Sequence, residues 1–435
     1  MARSENKPRL NIRYFDDLLV LSGGYAWTYL QVPLVPYEFL SREAREDLCA
    51  RITMGLGQLV TNSQDAVDVH LKVTHRPFDA ARWEAGLRSK TNQWQPAPVW
   101  DDYMSRMRQR VEQIGFNDKQ VFLGVCLGPR TGVGSPRGGD KKGLLSDVLS
   151  PLTRFMKGAE KTAGLEDAVV PEWELEHWWK AAENIRRILS QSSLRAVGVG
   201  AEHVAELIMR PLWPGMEPPP PSATPARRWG PGQIHRLVEG VVTNHYKYVE
   251  VHQPTADGPT DRGYAATLAV SRFPDVLHFP DQEPWMHFTE SLLIPADFST
   301  RMSIVPAQRV QKDVGKKLAD AKDQAQHIAE SGTAVPLKVR EQLDVATVLE
   351  YQIDKDRSPW AYARHHITVT GTDPDEITQQ AKTLIEKYRE LGMDLAWPSG
   401  EQLDLLLESV PGDKIRSRAY QQRQELSVIA GGMPM

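Results

Sequence analysis

The most specific chemistry a chain of this kind could carry is phosphate binding. A GxxxxGK[ST] loop needs a glycine-rich turn whose amides face the phosphates, a lysine for the terminal phosphates and a hydroxyl for Mg²⁺. Lys–Thr pairs stand at Lys90-Thr91, Lys161-Thr162 and Lys382-Thr383, but Ser89, Glu160 and Ala381 precede them. Gly315-Lys316 is followed by Lys317, with Val310 where the leading glycine belongs. No position satisfies the motif. No HExxH, paired CxxC or GxSxG pattern occurs either. His365 and His366 are adjacent in a predicted strand, so their rings point to opposite faces and make poor joint ligands. The expectation is no catalytic residue, no metal ligand and no cofactor-binding residue in this chain.

Three basic stretches could touch a partner or nucleic acid. Gly132 to Gly143 imitates a phosphate loop, but Pro136 removes an amide donor and the lysine spacing is wrong. Its bland reading is a surface loop. Its functional reading gives Arg130, Arg137, Lys141 and Lys142 a salt-sensitive contact with DNA or an acidic partner. Arg227-Arg228-Trp229, beside a proline run, is a further candidate contact. Trp173, His177, Trp178 and Trp179 cluster on one helix and read as a packing face.

The elements that must position these residues divide the chain into three parts. The whole is 435 residues with a formal net charge of -4 and 41% hydrophobic residues, ordinary for a globular protein and unlike a nucleic-acid coat. Cys49 and Cys126 sit among apolar neighbours and imply buried thiols in a reducing compartment. Leu18 to Tyr37 lacks formal charge, yet Gly23-Gly24 and the β-favouring Tyr25 to Val32 predict a hairpin and not a membrane span.

In the first part, 1–128, Ser41 caps a helix running to Val60, and Val67 to Val73 alternates as a half-buried strand. A helix from Asp101 to Ile114 and an apolar strand from Val121 to Leu127 follow. The middle part, 129–231, holds the glycine-rich loop, helices over Glu172–Ser190 and Ala201–Arg210, and a proline-dense boundary from Pro211 to Pro231. In the last part, 232–435, strands are expected over His245–Val251, Gly263–Ser271, Phe288–Ile294, Arg364–Thr370 and Met393–Trp397. The first two flank a turn at Asp257-Gly258. Asp373-Pro374 opens a helix to Leu391, Gln402 to Glu408 forms a short one, and a charged helical hairpin over 306–354 projects from the body. The predicted class is α+β, with two loosely repeated ferredoxin-like α/β-sandwich halves.

Several of these segments resemble the N-terminal domain of type IV secretion and conjugation ATPases of the TraC/TrbE/CagE kind. The resemblance is carried by Arg364-His365-His366-Ile-Thr-Val-Thr370, by the helix Asp375 to Leu391 and by Gln402 to Gly412 with its Pro411-Gly412 turn. Tyr264 to Val270 and the passage Ser291 to Gln308 add to it. The run Leu123-Gly-Val-Cys-Leu-Gly-Pro-Arg130 is similar to the actinobacterial variant. The resemblance implies a scaffold that docks an ATPase onto inner-membrane channel proteins, with self-association into an oligomer. It also implies a location on the cytoplasmic face of the membrane. ATP and Mg²⁺ would belong to a C-terminal domain that in the family begins soon after a stretch like Ala430 to Pro434, so no nucleotide-binding residue has a counterpart here. The alternative reading is a nucleic-acid-binding accessory protein of a mobile element.

Overall fold

A computed structural model describes residues 5–6, 10–35, 37–61, 65–77, 80–91, 98–114, 117–130, 170–216, 218, 228–237, 240–253, 261–274, 285–286, 288–330, 347, 359–417 and 419–433. The class is α+β: one large antiparallel sheet with, among the described residues, eleven α-helices.

The first half of the chain supplies β1 (Glu5–Asn6), β2 (Ile12–Phe15), β3 (Val20–Ser22), β4 (Tyr25–Val32), α1 (Arg42–Thr61), β5 (Val67–Pro77), α2 (Ala80–Thr91), α3 (Pro98–Ile114), β6 (Asn117–Pro129), α4 (Glu172–Gln191), β7 (Val197–Gly198) and α5 (Ala201–Met209). The Asp16 carboxylate accepts from the amides of Leu18 and Leu19 and so turns β2 into β3. Ser22 Oγ accepts from Tyr25 N at the expected hairpin. Ser41 Oγ accepts from Ala44 N, the expected cap of α1.

The second half supplies α6 (Pro231–Leu237), β8 (Val241–Asn244), β9 (Val249–Gln253), β10 (Asp261–Arg272), α7 (Phe288–Ser291), β11 (Ala296–Val305), α8 (Ala307–Glu330), β12 (Trp360–Gly371), α9 (Pro374–Glu390), β13 (Asp394–Ala396), α10 (Gln402–Glu408), β14 (Gln422–Glu425) and α11 (Leu426–Gly432). Asp373 caps α9 by accepting from Asp375 N, with Pro374 in its first turn. Its buried stripe is Ile377, Ala381, Leu384 and Tyr388, spaced as one helical face.

The strand order repeats. In the first half β6 lies between β4 and β5, and β3 and β7 share the far edge of β4. In the second half β12 lies between β10 and β11, and β9 and β13 share the far edge of β10. All these pairings are antiparallel, so β4 runs parallel to β5, and β10 to β11. Helical insertions sit at the same place in both halves: α2 and α3 between β5 and β6, and α8 between β11 and β12. The halves join where β11 pairs with β5, from Phe298↔Val73 to Ile304↔Val67. The two units expected from sequence therefore share one sheet.

That sheet is rolled. Its path runs β1-β8-β9-β10-β12-β11-β5-β6-β4-β3-β2. Laid flat, eleven strands would separate β1 from β2 by roughly 48 Å at about 4.8 Å per gap. The chain between Asn6 and Ile12 reaches at most about 23 Å. The seam is closed by side chains and backbone: Phe15 and Trp229 exchange main-chain hydrogen bonds, and their rings stack 5.3 Å apart. Residues from both ends of the path, Ile12 and Phe15 with Val242 and Val251, share one core inside the roll with Ile208, Ile234 and Leu406. The outer face carries a second core, in which Leu71, Leu123, Phe298 and Ile367 pack against α1, α9 and α11.

Several expectations are corrected. His245 to Val251 is not one strand: His245 to Tyr248 is the turn between β8 and β9, closed by His245 N to Tyr248 O, and only Val249 to Val251 lie in β9. Trp397 Nε1 donates to Lys247 O and Lys247 Nζ to Trp397 O, so a distant loop holds the turn and overrides local β-propensity. Phe288 to Ile294 forms α7 and a turn in which Leu293 has φ 54; the strand begins at Ala296. Val67 to Val73 is a strand, but Val69 to Val73 is buried on both faces. The helix α8 is present; the expected break at Ser331-Gly332 and the second arm of the hairpin lie outside the described residues, as does the turn at Asp257-Gly258. Among the described residues no helix is long and apolar enough to cross a membrane.

Candidate functional site

Alternation along the central strands sends an unusual set of polar side chains into the roll. These are Tyr29 from β4, His70 and Lys72 from β5, Ser299 and Arg301 from β11, and Arg364, His366 and Thr368 from β12. They share a face because Arg301 pairs with Arg364 and His70, and Ser299 with His366 and Lys72. Gly124 opposite Tyr29 is required: a Cβ there would lie 2.5 Å from the Tyr29 ring.

The segment 401–417 lies across this face as a strap. The last carbonyls of a helix lack intrahelical donors and carry partial negative charge. Here cations from the sheet satisfy them. Arg301 Nε and Nη2 donate to Glu408 O at 3.0 and 2.8 Å, and Nη2 donates to Val410 O at 2.6 Å. Lys72 Nζ donates to Ser409 O at 2.8 Å. At the front of α10, Gln402 Oε1 accepts from Thr267 N while its Nε2 donates to Thr267 O. Beyond the helix, Gly412 takes φ 70, a conformation glycine adopts without penalty, and donates its amide to Tyr29 Oη. Glu408 Oε1 then accepts from Arg416 N and Ser417 N and folds the strap back on itself.

A chain of polar contacts runs from the strap into the sheet. Tyr29 Oη accepts from Gly412 N and lies 2.9 Å from His70 Nδ1. His70 Nε2 lies 3.0 Å from Ser299 Oγ, within hydrogen-bond reach. Burial, reinforced by Arg301 and Lys72, holds the His70 imidazole well below its usual range. Burial also pulls Lys72 down to about 7, against the attraction of Asp297. Burial alone would raise the Asp297 carboxyl, but the Arg210 guanidinium, 2.6 Å away, outweighs it and holds the group low. Burial lowers His366 to about 3, with His365, Arg364 and Arg301 adding to the effect. Glu408 is raised because its burial outweighs the amides and cations around it. The arrangement can anchor a segment; its polar groups face one another and the strap, not solvent. Among the described residues, no group of three or more His, Cys, Asp or Glu side chains is placed to hold a metal ion.

The residues singled out from sequence fall elsewhere. Arg130 is not a surface cation. It is 8% exposed, pairs with Glu174 through Nε at 2.6 Å and Nη2 at 3.1 Å, and donates to Ser22 O. The reason is that β6 extends to Pro129 and delivers Arg130 against the first turn of α4. Arg228 is exposed, 4.7 Å over the Trp179 ring and 3.4 Å from Glu172. Arg137, Lys141, Lys142 and Arg227 lie outside the described residues. His365 and His366 do face opposite sides: His365 meets Trp285 and Phe273 outside the roll, His366 meets Glu408 inside it. Trp178 is buried and Trp179 donates to Asp16, as a packing face requires, while Trp173 is half exposed. Both cysteines are free and partly buried, and burial pushes Cys126 up to about 12. Of the network itself, Arg364 to Thr370, Ser291 to Gln308 and Gln402 to Gly412 stood out in the sequence as carriers of a resemblance, but only His366 was weighed as a possible ligand. The available signal was the polar phase of Val67 to Val73, where His70 and Lys72 alternate with valine and leucine.

Truncating Arg130 to alanine should cost about 3 kcal/mol in urea unfolding, because Glu174 would be left buried and unpaired. The double change R130M/E174L should recover most of that loss.

In comparisons with known proteins, no family model matches the chain and no curated protein matches it.

Proposed function

We propose that the chain is a scaffold that holds and docks other components, without an active site of its own. More particularly, we read it as the N-terminal docking domain of a conjugative type IV secretion ATPase, binding inner-membrane channel proteins and self-associating. ATP and Mg²⁺ would be bound by a domain outside this sequence. One observation carries this reading. The segments that bear the resemblance, far apart in sequence, form one unit. Tyr264 to Val270 pairs with Arg364 to Thr370 along β10 and β12. Gln402 is bonded to Thr267 on both main-chain atoms. Arg301, within the resembling passage Ser291 to Gln308, holds the end of the Gln402–Gly412 segment.

The strand orders β7-β4-β6-β5 and β13-β10-β12-β11 support reading each half as ferredoxin-like, with a strand inserted between two parallel ones. The internal polar network supports a scaffold role, since its donors are spent on the chain's own carbonyls. The purified chain is expected to turn over ATP at the rate of a buffer blank in the presence of Mg²⁺. Turnover above the blank that survives repeated purification would contradict the reading.

A further inference from the structure

Within the roll, His366 and Glu408 both carry polar atoms left out of the network. Neither Nδ1 nor Nε2 of His366 has a hydrogen-bond partner, and neither has Glu408 Oε2. Both side chains are essentially inaccessible, 1% and 0% exposed. Leaving one such group unpaired costs about 1–3 kcal/mol, and folded proteins satisfy nearly all of them. His366 Nδ1 and Glu408 Oε2 face each other across 3.9 Å. That is too long for a hydrogen bond. It is close to the reach of a single bridge: two bonds of about 2.8 Å meeting at roughly 90–110° span about 4–4.6 Å.

The gap cannot readily close. His366 sits in the middle of β12, in register with Ala269 on one side and Ser299 on the other. Glu408 is held by Oε1, which takes the amides of Arg416 and Ser417, and by its carbonyl, which takes Arg301. The occupant must donate to a carboxylate and also bond a neutral imidazole. Arg301 and Arg364 act on both side chains and disfavour a cation. The carboxylate disfavours an anion. A neutral molecule with a donor and an acceptor on one atom is water.

We infer that at least one ordered water bridges His366 Nδ1 to Glu408 Oε2 and forms an internal hydration site that joins β12 to the strap. This inference stands on the geometry of the network and not on any reading of the chain's function. It gives the strap a link to β12 in addition to those it makes with β4, β5, β10 and β11. It also explains why a buried carboxylate can keep one oxygen turned away from the amides that hold the other.

Crystals of the full chain grown near neutral pH, at a resolution that shows ordered waters, would test it. The expected result is a peak about 2.7–3.2 Å from both His366 Nδ1 and Glu408 Oε2. Soaking in bromide should leave that peak without anomalous signal. No peak at that position would overturn the inference, whether the gap stays open or closes to direct contact. A peak that bromide replaces would overturn it as well, because the site would then be an anion site.

Discussion

Replacing Arg301 with leucine should destabilise the chain by about 3–5 kcal/mol, the largest effect expected of any single side chain in the roll. The estimate joins two costs: charge-assisted hydrogen bonds worth about 1.5–3 kcal/mol, and a buried carbonyl left without a donor, about 1–3 kcal/mol. Glu408 O is that carbonyl, since Arg301 supplies two bonds to it. Val410 O loses a donor too but keeps the amide of Asp413. Lysine at the same position keeps the charge and loses the fork, so R301K should fall between the two. The effect should also be local. In hydrogen exchange, the amides of Gly412, Arg416 and Ser417, which depend on Tyr29 and Glu408, should lose protection before those of the central strands. A leucine variant with unchanged urea midpoint and unchanged exchange over 408–417 would mean the strap is not held by Arg301.

Lowering the pH should unfold the protein through its histidines. His365 is held at about 4 and His366 at about 3, both below the ordinary 6.5. His70 is displaced in the same direction. Burial is the leading cause in each. The unfolded chain therefore takes up these protons first, and the folded chain binds fewer of them below pH 6.5. The histidines' contribution is full above that value and is lost as pH falls toward 3–4, by an amount on the order of 3–5 kcal/mol each for His365 and His366. Glu408 acts oppositely. Its raised value lets the folded state hold a proton more readily, so it returns part of the loss at the acid end. Lys72, at about 7 against an ordinary 10.5, costs stability as pH falls from 10.5 to 7 and adds no slope below that. A melting temperature flat from pH 6.5 to 4 would contradict this. H366Q removes one titrating group and should flatten the acid limb.

Local pattern made much of this legible. Ser41 and Asp373 announced their helices, because a cap is a bond between near neighbours in sequence. The adjacency of His365 and His366 was enough to put them on opposite faces, since a strand's period is two. What the pattern could not show is what covers a face. Val67 to Val73 alternates as though one side met water, yet that side meets a strap some 337 residues later, where Lys72 bonds Ser409. Arg130 read as a loop cation because its partner Glu174 is 44 residues away. His245 to Val251 read as a strand because the clamp on its turn comes from Trp397. The rolling of the sheet is likewise a long-range fact, set by β11 meeting β5 and by Trp229 closing on Phe15.

The two halves invite a simple mechanical picture. Equivalent helical insertions leave β5 at Pro77 and β11 at Val305, and because these strands are antiparallel the insertions emerge at opposite ends of the pair. In α8 the first turns are buried: Val310 and Val314 pack with Val305 and Trp360, and Leu318 is buried as well. Beyond Leu318 it continues to Glu330, a rise of roughly 18 Å at about 1.5 Å per residue. A scaffold that contacts more than one neighbour would use such arms.

The most direct test of the docking proposal is binding of the purified full chain to the detergent-solubilised inner-membrane channel proteins of a conjugative secretion system from its own source. The proposal predicts a complex that co-elutes in gel filtration without ATP and is unaffected by DNase. Failure to co-elute at concentrations where the chain alone is folded, or a complex that disappears with DNase, would contradict it.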